Sequence, residues 1–195
     1  MKLPRITAIA AILALSASPA FAHIGLHETG DFTHGALHPL SGVDHLLAMV
    51  AVGFYAARQG GRALWFVPTA FVALMAVGGV LGFSGLALPY VEPIIAVSVI
   101  VMGALLAFDI RLPLPASAVM VGTFALFHGH AHGTEGVSME SFASYALGFV
   151  LATTILHGIG IALGKAFTRS NRTGAWAGRI FGAVGCVAGA MLLAS

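Results

Sequence analysis

The stretch Phe127-His128-Gly129-His130-Ala131-His132-Gly133-Thr134-Glu135 decides how this chain is read. It places three histidines and a carboxylate at the end of the apolar run 114–132. Ionisable side chains next to hydrocarbon are costly, so where they occur they mark a functional site. A second cluster, His34-Gly35-Ala36-Leu37-His38-Pro39-Leu40-Ser41-Gly42-Val43-Asp44-His45, accompanies the apolar run 37–57. Six of the nine histidines lie in these two short segments, so the two clusters are read together as one site.

The rest of the chain explains why that site sits in a membrane. Of 195 residues, 58% are hydrophobic and only 8% charged, with a mean hydropathy of +0.96. Soluble domains carry about 25% charged residues. Six apolar stretches, near 37–57, 63–83, 91–110, 114–132, 142–164 and 175–194, are long enough to span a bilayer as helices. The expected fold is all-α, a polytopic bundle of six transmembrane helices joined by short loops. Residues 1–22 read as a cleaved signal peptide: Lys2 and Arg5, the apolar run Ile6 to Leu15, then Ala20-Phe21-Ala22 before His23. Residues 23–195 then form a single transmembrane domain. Cleavage removes two of nine basic residues and leaves seven against seven acidic ones, so the basic balance implies no nucleic-acid partner.

Basic residues set the expected orientation. Arg58, Arg62, Arg111, Lys165, Arg169, Arg172 and Arg179 all fall at the same end of the six expected spans. The loops near 84–90 and 133–141 contain no Lys or Arg. That end is assigned to the cytoplasm, with both chain termini outside and both histidine clusters at the outer, periplasmic-type face. Cys186 is the only cysteine, which excludes an intrachain disulfide and a thiolate metal cage. Gly160-x-x-x-Gly164, Gly178-x-x-x-Gly182 and Gly185-x-x-x-Gly189 permit close helix contact, expected within the bundle. The segment Gly160 to Lys165 lacks the spacing of a phosphate loop, so no ATP hydrolysis is expected.

Helical geometry sorts the chemistry. At about 100° per residue, His128, His132 and Glu135 share a face, and His130 points away from it. His38 is expected at a helix N-cap, with Pro39 at the first helical position. His45 shares the face of His38, and Asp44 lies about 10 Å inside the helix start, where it binds metal directly or orients an imidazole. Imidazole and carboxylate without sulfur suit Ni(II), Co(II), Zn(II) or Cu(II). Weaker candidates are His23 and His27 in a metal-capturing tail, His34 between tail and helix, and His157 deep in the fifth span. Asp109 is expected to pair with Arg111 or water, and Glu92 to lie at a solvated interface.

His38-Pro39-x-x-Gly42-x-Asp44-His45 and Phe127-His128-Gly129-x-Ala131-His132-Gly133-x-Glu135 resemble the two signature motifs of the HupE/UreJ family, and the resemblance covers essentially the whole chain. It implies a nickel permease of the inner membrane serving hydrogenase or urease maturation, with Ni2+ as transported ion and no prosthetic group. It carries metal handling onto His38, Asp44, His45, His128, His132 and Glu135. The competing class is an intramembrane metalloenzyme holding zinc or iron, with Glu135 or Asp44 as base.

Overall fold

The computed structural model describes residues 31–135, 138–169 and 171–194; the expected signal peptide and the candidates His23 and His27 lie outside them. The described residues form seven helices: α1 Phe32–Ser41, α2 Val43–Gln59, α3 Ala63–Phe83, α4 Val91–Ala107, α5 Leu114–Gly133, α6 Met139–Arg169 and α7 Asn171–Ala194. No strand occurs among them. Asp31 caps α1 by accepting a hydrogen bond from the His34 amide at 2.9 Å. Gly60 and Gly61, at φ 72° and 51°, make the tight turn into α3, where a side chain would be strained.

The first expected span is not one straight helix. It breaks at Gly42, and α1 and α2 meet at 85°. His38 is therefore no N-cap: it lies inside α1, in its last turn, with Pro39 after it. Asp44 is not deep within a helix either, but in the first turn of α2. The physical reason is space at Gly42, whose backbone is extended at φ −92° and ψ 118°. A Cβ there would stand 2.8 Å from Asp44 Oδ1 and 2.9 Å from His45 Nδ1. Backbone freed from helical bonding at membrane depth is tolerated where protein surrounds it.

Packing follows the small residues. Helices α3 and α5 touch backbone to backbone: a Cβ on Gly78 would stand 2.9 Å from the Leu126 carbonyl carbon, and one on Gly133 would stand 2.8 Å from the Phe83 nitrogen. Gly182 and Gly189 of α7 close on α4, and Gly160 and Gly164 of α6 close on α2, so these glycine pairs serve the bundle interior. Cys186 packs there too, with its thiol 3.4 Å from the Ile100 carbonyl. The core between the layers contains Met49, Phe54, Tyr55, Phe71, Met102 and Val121. The outside is apolar as well, with Trp65, Val80, Leu147, Ile155, Ile180 and Met191 exposed. An exterior of this kind is stable only against lipid.

Three helices are long and apolar enough to cross a membrane alone, over Ala63–Phe83, Met139–Phe167 and Trp176–Ala194, and the bent α1–α2 pair makes a fourth if counted as one span. Helix α4 is apolar but 17 residues long. Helix α5 has 20 residues, but its last turns carry three histidines. At the end away from the histidines, Arg58 pairs with Asp109, not the expected Arg111. Asp109 has left-handed backbone, φ 53°, just beyond α4, and faces α2. Beside it the Gln59 amide donates to the Leu112 carbonyl at 2.6 Å and to Tyr55 Oη at 3.0 Å, fastening that end of the bundle.

Candidate metal site

The site lies at the opposite end, where the Gly42 break turns α1 across the mouth of the bundle. Gly35 and Gly148 let α1 lie directly on α6, which brings His34 and His38 onto Tyr145. Ser41 Oγ donates to the His38 carbonyl at 2.7 Å and closes the last turn of α1. Glu135 stands two residues beyond the end of α5.

Glu135 joins the two sequence clusters. Its Oε1 accepts from His132 Nδ1 at 3.0 Å and from His38 Nε2 at 3.2 Å, and its Oε2 accepts from Tyr145 Oη at 3.3 Å. Ligand atoms of His38, His132 and Glu135 all lie within 4.8 Å of one another. Ligands about 2 Å from a shared ion stand about 3–4 Å apart, so small rotations suffice to close this group on one cation. Burial works to raise the Glu135 pKa, but hydrogen bonds from His132 and His38 outweigh it. The carboxyl is held well below the usual carboxylate range and stays ionised.

Inward from this group the imidazoles form a row. Ring centroids are 4.7 Å apart for His38 and His132, 4.2 Å for His132 and His45, and 4.9 Å for His45 and His128. His34 extends the row outward, 5.8 Å from His38. Beyond His128 comes Phe71 at 6.0 Å, and on the other side of Phe71 lies His157 at 4.9 Å. His157 is thus set apart from the row by an aromatic ring. His130 turns to the other side of α5, where Nε2–H donates to the Leu86 carbonyl at 2.6 Å.

The hydrogen bonds say which nitrogen of each ring is free. A neutral imidazole has one donor and one acceptor. His45 Nδ1–H donates to Asp44 Oδ1 at 2.9 Å, His132 Nδ1–H to Glu135, and His157 Nδ1–H to the Thr153 carbonyl at 2.7 Å. These oxygens accept only, so the other nitrogen of each ring is a bare lone pair. His45 Nε2, His132 Nε2 and His157 Nε2 are all buried without a partner, as are His128 Nδ1 and, on the other side of α5, His130 Nδ1. An unpaired buried acceptor is costly unless something uses it, and the lone pair of a neutral imidazole is what a metal binds. Asp44 holds the His45 ring through this bond, and carboxylates orient metal-binding histidines in the same way.

Tyr145 and Ser98 were not singled out from sequence. Ser98 Oγ lies 2.9 Å from His128 Nε2. The signal was present, because Ser98 is the one side chain with a hydrogen-bonding group between Glu92 and Asp109. Tyr145 gave no such signal, since an aromatic ring at a helix start reads as interfacial packing.

The family model described as HupE / UreJ protein matches residues 11–192. The chain is 50% identical over 193 residues to Protein HupE of Rhizobium leguminosarum bv. viciae, covering 99% of each chain. No solved structure gives a significant match. On the family match and that relative, with the two motifs folded into one histidine-rich site, the chain belongs to the HupE/UreJ family.

Proposed function

We propose that this chain is a permease that imports Ni2+, with Co2+ as a second substrate, across the bacterial inner membrane for hydrogenase or urease maturation. One observation carries the reading. The three-ligand group His38, His132 and Glu135 at one end of the bundle continues inward as a row of imidazoles with unpaired lone pairs. A resident metal is held by one set of ligands that stays together, with a position left open where it is catalytic, whereas a travelling ion needs successive partial sets, each weak enough to release it.

The membrane arrangement is part of the proposal. Six spans follow a cleaved signal peptide, the bent α1–α2 pair counts as one span, and both termini face the periplasm. The gathering of Arg58, Arg62, Arg111 and Lys165 near the helix ends away from the histidines supports a cytoplasmic end there. Inside-negative potential then favours the inward step of a divalent ion by about 4.6 kcal/mol per 100 mV, so no ATPase is required.

The test is accumulation of radiolabelled nickel at submicromolar concentration in cells expressing the chain, normalised to protein in the membrane. Wild type should accumulate nickel above empty cells, with cobalt competing. Glu135→Gln should fall to the level of empty cells, and Glu140→Gln, an exposed change in the first turn of α6, should not. Absence of wild-type accumulation of nickel, cobalt and zinc alike would overturn the reading.

A further inference from the structure

We propose that Ser98 is a positioning residue for the metal path: its hydroxyl fixes His128 so that Nδ1, and not Nε2, offers the lone pair. The inference rests on the metal-handling reading above. It comes from counting one hydrogen. Ser98 is 1% exposed on α4, and its Oγ lies 2.6 Å from the Ile95 carbonyl oxygen and 2.9 Å from His128 Nε2. A hydroxyl has one hydrogen to give. The Ile95 carbonyl can only accept, so the hydrogen goes there. Toward His128, Ser98 Oγ is left as an acceptor, and Nε2 must carry the ring proton. The lone pair of the neutral ring is then on Nδ1, which is buried without a partner.

His128 needs such a device more than its neighbours do. Carboxylates hold His45 and His132, and a backbone carbonyl holds His157. Each of those oxygens can only accept, so the proton position is settled by the partner alone. A serine hydroxyl could donate or accept, and could settle either nitrogen. The Ile95 carbonyl removes that ambiguity by occupying the hydroxyl hydrogen. The bent path of the proton, from His128 to Ser98 and from Ser98 to Ile95, makes a side chain of α4 the partner that other imidazoles find in a carboxylate. His128 is 0% exposed and its ring is otherwise flanked by His45 and Phe71, which give no hydrogen bond to Nε2. Without Ser98, rotation of the ring about its last torsion, which is broad and roughly two-fold, would put carbon Cδ2 where Nδ1 had been and move the lone pair away.

The competing account is that Ser98 simply bonds back to its own helix, as serines in membrane helices do, with His128 near by chance. Threonine and valine separate the two, since they share a shape and differ in the hydroxyl. Nickel uptake would be measured for wild type, Ser98→Ala, Ser98→Thr and Ser98→Val at matched protein level. Removing partners that orient a metal-binding histidine costs about 10–100-fold in affinity. Ser98→Val and Ser98→Ala should therefore raise the nickel concentration for half-maximal uptake by about 10-fold or more. Ser98→Thr should stay near wild type. In parallel, purified protein with 15N-labelled histidine should show a His128 Nε2–H signal, identified by its loss in His128→Gln. That signal should persist in Ser98→Thr and shift in Ser98→Ala and Ser98→Val. Equal uptake by the threonine and valine variants, or a His128 Nε2–H signal unmoved in Ser98→Ala, would overturn the assignment. Wild-type cells without uptake would instead remove the transport reading, and the nitrogen signals would still decide what Ser98 does to His128.

Discussion

Gly129 sits between two histidines of the signature, yet its role follows from backbone contact rather than from ligation. A Cβ on Gly129 would stand 2.7 Å from the Met75 carbonyl carbon and 2.9 Å from the Gly79 nitrogen, and closer still to the Met75 carbonyl oxygen. Ordinary contact begins at 3.4 Å, so in Gly129→Ala helices α3 and α5 must part by at least about 0.7 Å. Neither side can yield by rotating a side chain, because the atoms that meet are backbone. Overpacking of this kind costs about 1–3 kcal/mol. The functional cost is larger, because α5 carries His128 and His132 against residues of α1, α2 and α4 that stay in place. A displacement of about 1 Å at a site of this kind can cost about 100-fold. We expect Gly129→Ala to lower nickel uptake at least 10-fold at matched membrane level, and to lower the thermal midpoint of the purified protein. Gly158→Ala is the companion, since a Cβ there meets nothing within 4 Å. It should leave uptake unchanged and, by helix propensity, add up to about 1 kcal/mol. Wild-type uptake and midpoint in Gly129→Ala would refute the argument that backbone contact sets the position of these histidines.

Two further outcomes follow from the same geometry. Gly42→Ala puts a methyl group 2.8 Å from Asp44 Oδ1 and 2.9 Å from His45 Nδ1, atoms of side chains that can turn aside. Uptake should therefore fall several-fold while the thermal midpoint moves little, and a variant that melts early but still transports would contradict this. Protonated imidazole cannot ligate, so uptake should fall once acid protonates the histidines of the site. The Glu135 pKa is depressed on folding, so the stability it contributes is present above its unfolded value and lost only as pH falls through the lower folded one. Uptake unchanged as these histidines titrate would show that histidine ligation does not limit the rate.

The residue types of the site were legible in the sequence, and so was the separation of His130 from His132. Both follow from helical period and from the cost of polar groups in an apolar run. The break at Gly42 was not legible. His38-Pro39-x-x-Gly42 suits a helix start as well as it suits a helix that ends and begins again, because proline is accepted at a first turn. What decides is the room that Asp44 and His45 need over Gly42, a contact across the bend. The partner of Asp109 was missed for a similar reason. Sequence distance favoured Arg111, but a left-handed residue just beyond α4 turns the carboxylate to Arg58, 51 residues away. The zipper of α3 on α5 was half legible: the spacing Gly129-x-x-x-Gly133 permits close approach, but does not say which helix comes.

His132 shows why the order of contacts matters as much as their number. Its Nδ1 faces Glu135 and its Nε2 is buried and unpaired, while its ring touches both His38 and His45. A neutral imidazole has one lone pair, so the ring cannot serve an ion on each side at once. An ion taken from Nδ1 together with Glu135 requires the proton to leave Nδ1, and Nε2 then becomes the donor. An ion held at Nε2 requires the proton back on Nδ1, where Glu135 accepts it. In the proposed path the carboxylate would thus compete with the metal for the same nitrogen, which would weaken the outer group and favour passing the ion toward His45. Six ligands closing at once on one cation would hold it too tightly to release. The imidazoles are instead strung out along a row, with neighbouring ring centroids 4.7, 4.2 and 4.9 Å apart, which in the proposed path would leave smaller sets to be used in turn.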